Sequence, residues 1–159
     1  MLEGMANFRL LRGRMSQHGS AYSITTVVHG RRPLLADAAN AVMVRDEMLA
    51  ICQEGRIDSL AWVIMPDHLH WLFQLNEGSL GQCLQRFKSR TARSVNLANG
   101  LQGPLWQSGY YEHRLRDMED LAKQARYLVD NPVRKGLVDR IDDYPFWWSR
   151  WISCSSDLA

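Results

Sequence analysis

Ser59-Leu60-Ala61-Trp62-Val63-Ile64-Met65-Pro66-Asp67-His68-Leu69-His70-Trp71-Leu72-Phe73-Gln74-Leu75 is the stretch on which the fold turns. Ser59 to Met65 is apolar enough to be a strand in the middle of a sheet, where both faces are covered. Pro66-Asp67 then makes a turn. From His68 to Leu75 the residues alternate with a period of two: Leu69, Trp71, Phe73 and Leu75 point one way, and His68, His70, Leu72 and Gln74 the other.

Upstream of this unit, Ala21 to His29 is rich in Thr, Val, Ile and Tyr and reads as a strand that stops at Gly30-Arg31-Arg32-Pro33. A helix follows from about Asp37 to Glu54, with Ala41, Val44, Met48, Ile51 and Cys52 on one side and Gly55 as its stop. Downstream, Ser79 to about Ala98 is a second helix. Leu80, Leu84, Phe87, Thr91, Val95 and Ala98 form its buried stripe. Gly100 to Gly109 is a loop, and Tyr110 to Leu115 a fourth strand. Asp117 caps a third helix with Met118, Leu121, Ala125, Leu128 and Val129 at helical spacing, ended by Asn131-Pro132. This order predicts an α+β fold, a ferredoxin-like split βαβ antiparallel sheet with one additional C-terminal helix. No linker or repeat divides the chain, so residues 1–159 read as one domain, with a basic N-terminal arm over about 1–19 and a Trp-rich tail over about 141–159 that packs on the body.

The longest apolar runs fall far short of the roughly 20 residues needed to cross a bilayer. The N-terminus lacks the layout of a secretory signal, so the expected location is the cytoplasm. Cys52, Cys83 and Cys154 have no metal-binding or redox spacing, and the first two sit among apolar residues as small core side chains. The net charge of +2 is modest but unevenly spread. Residues 1–35 carry five Arg against one Glu, and residues 79–116 carry six basic groups against one acid, while residues 36–78 hold seven acids against two Arg. Such a distribution suits one positive surface meeting a phosphate backbone.

His68 and His70 project from one face of a strand, close enough to share a metal. A pair of this kind is also met as ordinary solvated histidines. Tyr127 and Asn131, four residues apart, share a face near the end of the third helix. If that face docks over the histidines, Asn131 adds an oxygen to two nitrogens, and positions remain for a phosphate oxygen and water. Such a set suits a divalent ion, Mg²⁺ or Mn²⁺. The ion would neutralise and position a scissile phosphate for in-line attack by Tyr127. The product would be a 5′-phosphotyrosine and a free 3′-OH. Tyr110 and Tyr111 are chemically possible rivals, and their strand position favours packing.

Met65-Pro66-Asp67-His68-Leu69-His70-Trp71 resembles the His-hydrophobic-His block of single-tyrosine HUH transposases, and Tyr127 to Val138 resembles their nucleophile helix and its exit. The match is closest to the REP-associated tyrosine transposases of bacteria. Arg12-Gly13-Arg14, Arg86-Phe87-Lys88-Ser89-Arg90, Gly103 to Gln107 and Arg116 to Leu121 carry the likeness further, from about Phe8 to Trp151. Glu112 departs from it, standing where Asp is expected, as does the unusually aromatic tail. The resemblance implies Tyr127 as nucleophile, His68, His70 and Asn131 as metal ligands, and Mg²⁺ or Mn²⁺ as the metal. It also implies single-stranded DNA with palindromic REP hairpins as the partner, and a monomer, with a dimer as the alternative. Arg9, Arg12, Arg14, Arg86, Lys88, Arg90 and Arg93 are candidates for phosphate contacts. Two competing readings are a non-catalytic hairpin binder derived from a transposase, and a replication initiator or relaxase. Retention of all four site residues argues against the first, and short length with no helicase region against the second.

Overall fold

The computed structural model describes residues 9–10 and 19–152. The strands are β1 (Arg9–Leu10), β2 (Ala21–Val27), β3 (Ile57–Met65), β4 (His68–Leu75), β5 (Tyr111–Leu115) and β6 (Trp147–Ser149). The α-helices are α1 (Ala38–Gln53), α2 (Leu80–Asn99), α3 (Met118–Val129) and the single turn α4 (Asn131–Arg134). Among the described residues the strands form one sheet in the order β1-β5-β2-β4-β3-β6, and every pairing is antiparallel. Its inner four strands have the split βαβ arrangement expected from the element order.

The period-two split of β4 decides which layer covers each face. Leu69, Trp71, Phe73 and Leu75 are fully buried against α1 and α2 in the larger core, which also takes Tyr22, Ile24 and Phe87. Trp71, Phe73, Phe87 and Trp106 run through it as a chain of rings with centroids 4.9–5.8 Å apart. The other face is covered by α3, whose Leu121, Ala125, Leu128 and Val129 meet Leu72, Val63 and Met65 of the sheet. β3 reconciles its long apolar run with two covered faces through a bulge between Ser59 and Ala61, which leaves Leu60 and Ala61 both on the α3 side. Ser59 turns the other way and accepts the indole N–H of Trp71 at 2.9 Å.

Helix ends follow local chemistry. The side chains of Asp37, Ser79 and Asp117 accept backbone N–H groups at the starts of α1, α2 and α3. Gly100, in the left-handed region at φ 63°, ends α2. Asn131-Pro132 does end α3, but the chain resumes helical geometry for one more turn. Asp130 forms the joint, and Pro132 is tolerated because it sits in the first turn of α4, where its missing N–H has no partner to lose.

Two positions expected in the buried stripes are exposed: Ala98, in the last turn of α2, and Met118, at the start of α3, which is 67% exposed. The expected packing of the tail takes the form of β6, whose Trp147 is buried while Trp148 and Trp151 stay partly exposed. Cys83 is buried, with its thiol pushed up to about 11 by that burial, and Cys52 is half-buried, 3.1 Å from Ser59 Oγ. Cys154 lies outside the described residues. No helix among the described residues is long and apolar enough to cross a membrane.

Candidate active site

Pairing of β4 with β2 and β3 sets His70 level with Thr25 and Val63, and His68 level with Val27 and Met65. The pleat therefore sends both imidazoles to the α3 face, where their Nε2 atoms lie 3.1 Å apart and their rings meet edge to face. Each ring is fixed from behind through Nδ1. His68 Nδ1 donates to Asp67 Oδ1 at 2.6 Å, and His70 Nδ1 lies 2.8 Å from Thr25 Oγ1. A carboxylate on Nδ1 leaves His68 Nε2 as a bare lone pair. The Thr25 hydroxyl can donate or accept, so it serves His70 in either tautomer.

Burial pushes the His70 imidazolium down to about 3, helped by the nearby His68, Arg134 and Lys135 charges. His68 is also pushed below its ordinary value by burial, against the opposing pull of Asp67. Both rings are neutral near pH 7, the state in which imidazole ligates a metal. Burial alone would raise Asp67, but its bond to His68 and the charge of Arg31, 3.3 Å away, outweigh that and hold it ionised.

Asn131 is 4% exposed, and its amide lies 3.4 Å from His68 Nε2. A half-turn about the last side-chain torsion exchanges its nitrogen for the oxygen a cation takes. In the middle of α3, Gln124 Nε2 donates to the buried Ser23 hydroxyl at 3.2 Å. Two amides thus pin the helix to the sheet on either side of Tyr127. Tyr127 is 39% exposed. Its ring carries the Arg134 guanidinium 3.8 Å from the centroid, and its carbonyl accepts from the same guanidinium at 2.5 Å.

These residues fit a divalent ion. Two nitrogen ligands about 2.1 Å from one ion and near a right angle stand roughly 3 Å apart, as the two Nε2 atoms do. The third donor is an amide, and among the described residues no group of three or more His, Cys, Asp or Glu forms a cage. Two imidazoles and one amide would leave positions for a phosphate.

The structure brings His68, His70 and Asn131 together and sets Tyr127 one helical turn away. The basic candidates are dispersed. Arg86 and Arg90 both pair with Glu54 on the α1 and α2 face, and Arg93 is exposed. Lys88 turns inward, donating to the Gln107 carbonyl at 3.0 Å and to that of Gly109, so it ties down the loop ahead of β5. Arg9 lies in β1 level with Glu112, while Arg12 and Arg14 fall outside the described residues. Of the rival tyrosines, Tyr110 is buried, and its phenol is pushed up to about 12 by that burial and by Glu112. Tyr111 is half-buried beside Thr25 on the histidine face.

Sequence reasoning did not single out Thr25, Ser23, Gln124 or Arg134. Thr25 and Ser23 acquire meaning only from strand register. Gln124 lies three residues before Tyr127, near the same helical face, and Arg134 seven after it, the latter spacing hidden by reading Pro132 as the end of helical structure.

This fold and site define a class. The chain belongs to the IS200-like transposase family, whose profile matches residues 16–131. Among particular relatives, the REP-associated tyrosine transposase of Escherichia coli strain K12 is 26% identical over 130 residues, covering 80% of this chain and 75% of its own. A Haemophilus influenzae protein assigned to the same group is 29% identical over 154 residues, covering 89% of this chain and 84% of its own. A solved REP-associated tyrosine transposase bound to a REP hairpin superposes with a TM-score of 0.72 at 26% identity, covering 86% of this chain and 81% of that one. A transposase-like structure from Deinococcus radiodurans, 21% identical with a TM-score of 0.52, shares the fold, covering 76% of this chain and 96% of its own.

Proposed function

We propose that this chain cleaves and rejoins single-stranded DNA beside palindromic REP hairpins, with Tyr127 as nucleophile and Mg²⁺ or Mn²⁺ held by His68, His70 and Asn131. The observation that carries the reading is the convergence of two neutral imidazoles and a buried amide from a separate helix, one turn from a solvent-accessible phenol. A protein that only bound hairpins would gain nothing from burying these groups together.

When bound, the metal would neutralise charge on the scissile phosphate and hold it for in-line displacement. Asp67 and Thr25 orient the imidazoles, and Gln124 and Asn131 hold α3 against the sheet. Tyr127 Oη attacks phosphorus and its proton passes to solvent. The bond from phosphorus to the 3′ oxygen breaks, and that oxygen leaves as a 3′-OH after taking a proton. The 5′-phosphotyrosine retains the energy of the broken linkage, so another 3′-OH can attack it, restoring the phenol and joining two strands without ATP. Arg134, stacked on the ring, holds it in place with a positive charge over its face.

Incubation with a labelled strand bearing a hairpin and Mg²⁺ or Mn²⁺ should give an adduct that survives denaturing electrophoresis. Tyr127→Phe and His70→Ala should give none while still binding the hairpin. An adduct formed by Tyr127→Phe would move the nucleophile elsewhere, with Tyr111 the next candidate. Binding without cleavage under either metal would favour the non-catalytic hairpin binder.

A further inference from the structure

Among the described residues, Arg31 is the only one other than glycine whose backbone lies in the left-handed region, at φ 51°. It closes the 3₁₀ turn His29–Arg31, which follows β2 at the end of the sheet that carries His68. Gly30 beside it is left-handed too, at φ 69°, and adopts that geometry without steric cost. At Arg31 the Cβ crowds the following carbonyl oxygen, so this residue strains a turn that glycine would form freely.

The surrounding chain holds the strained shape. The Arg31 N–H donates to the Val28 carbonyl, the Val28 N–H to the Asp67 carbonyl and the His29 N–H to the Leu105 carbonyl, each at 2.8 Å. Arg32 uses its guanidinium for the same purpose, donating to the carbonyls of His29 at 2.9 Å and Pro104 at 3.0 Å. The Arg31 side chain is placed differently. Its Nη1 donates to Asp67 Oδ2 at 3.3 Å, and the side chain stays 68% exposed. An ion pair so long and so open contributes little to stability and does not offset the strain. A backbone held in this way, with so little structural return, points to a side chain aimed at something outside the chain.

Position narrows what that is. A guanidinium carries five N–H donors in a fixed fork, and Asp67 engages one nitrogen of it, so an oxyanion can be taken by the remainder. The other oxygen of Asp67 holds His68 Nδ1, on the side of the ring away from Nε2. A phosphate on the metal would therefore lie beyond the reach of Arg31, and the next phosphate along the same strand is the nearest anion left to it.

We propose that Arg31 grips the phosphate neighbouring the scissile one, and that its left-handed turn is kept to aim the guanidinium there. The inference rests on the reading of the site given above and adds to it a residue that positions the strand.

The test measures binding by the full chain carrying Tyr127→Phe, so that no strand is cut. The probe is a fluorescein-labelled GC-rich DNA hairpin with a single-stranded foot, made also as a series in which one foot phosphate at a time is an uncharged methylphosphonate. Adding Arg31→Gly should leave the melting temperature unchanged or raise it by up to about 4 °C, since glycine relieves the turn. It should nonetheless weaken binding of the unmodified probe about 5-fold or more. The slope of log affinity against log salt should fall by about 0.7, one phosphate contact on a single strand. At one linkage the methylphosphonate should weaken the chain that keeps Arg31 by a similar factor and leave Arg31→Gly unaffected, so that the two losses do not add. All of this should persist in EDTA. Losses that add at every linkage, or a loss seen only with Mn²⁺, overturn the contact and leave Arg31 as a support for Asp67; a lowered melting temperature overturns the strain argument. Adduct formation with Tyr127 restored reports separately. A chain that makes adduct while its losses add at every linkage defeats the Arg31 contact alone, and a non-additive linkage in a chain that makes no adduct defeats the tyrosine chemistry alone.

Discussion

Arg134 binds one residue twice, through the ring and the carbonyl of Tyr127, and so fixes the proposed nucleophile across the joint at Asp130. Arg134→Gln removes both contacts. Cation–π stacking is worth about 0.5–2 kcal/mol, so the rate of adduct formation should fall about 3- to 30-fold, with hairpin affinity held, as single-turnover assays can measure. His70 gives a prediction in pH. Its folded-state value near 3 lies below the ordinary 6.5, so the unfolded chain takes up a proton first as pH falls, and the stability of the neutral buried ring is lost progressively below 6.5. Between pH 6 and 5, metal-free protein should therefore lose up to about 1.4 kcal/mol more per pH unit than His70→Gln, in urea titrations of each. The histidines themselves were legible in the sequence, because alternation along a strand puts residues two apart on one face. Their supports were not. Thr25 lies 45 positions from His70 in the chain and meets it only through pairing that no local pattern specifies.

Among the described residues, α3 and the turn after it cover the site, held to the sheet by a short apolar row with the Gln124 amide within it and the Asn131 amide beyond its end. Leu128→Ala opens a cavity under that row and should cost about 2–5 kcal/mol of global stability by chemical denaturation. A larger proportional loss of adduct than of hairpin binding should accompany it, since the tyrosine is carried on this helix. Helices and inner strands were read nearly to their ends because apolar periodicity and capping residues mark them. Asp117 caps as expected, and Asp37 and Ser79, read as the starts of their helices, prove to be caps. The single turn α4 escaped because proline breaks helices in general, and only the joint at Asp130 lets one restart. β1 and β6 are too short, at two and three residues, for any periodicity to register.

At the scale of the whole molecule, the proposed metal would link to the fold through ligands drawn from β4 and the α3–α4 joint, which lie more than 60 residues apart in sequence. An ion bound only by the folded chain should raise the melting temperature by mass action, corresponding to about 2.7 kcal/mol at a hundredfold excess over its dissociation constant. Mn²⁺ should produce that shift in the unmutated protein and not in His70→Ala, with EDTA reversing it; an equal shift in both would place the ion elsewhere. The outermost strands have a different consequence. Among the described residues, β6 and the residues flanking it cover the rim of β3, where Ala61, Trp62 and Val63 would otherwise offer open backbone donors and acceptors beside apolar side chains. A chain cut before Trp147 should self-associate edge to edge into polymers visible by light scattering, so the tryptophan-bearing tail guards against aggregation whatever it contributes to DNA.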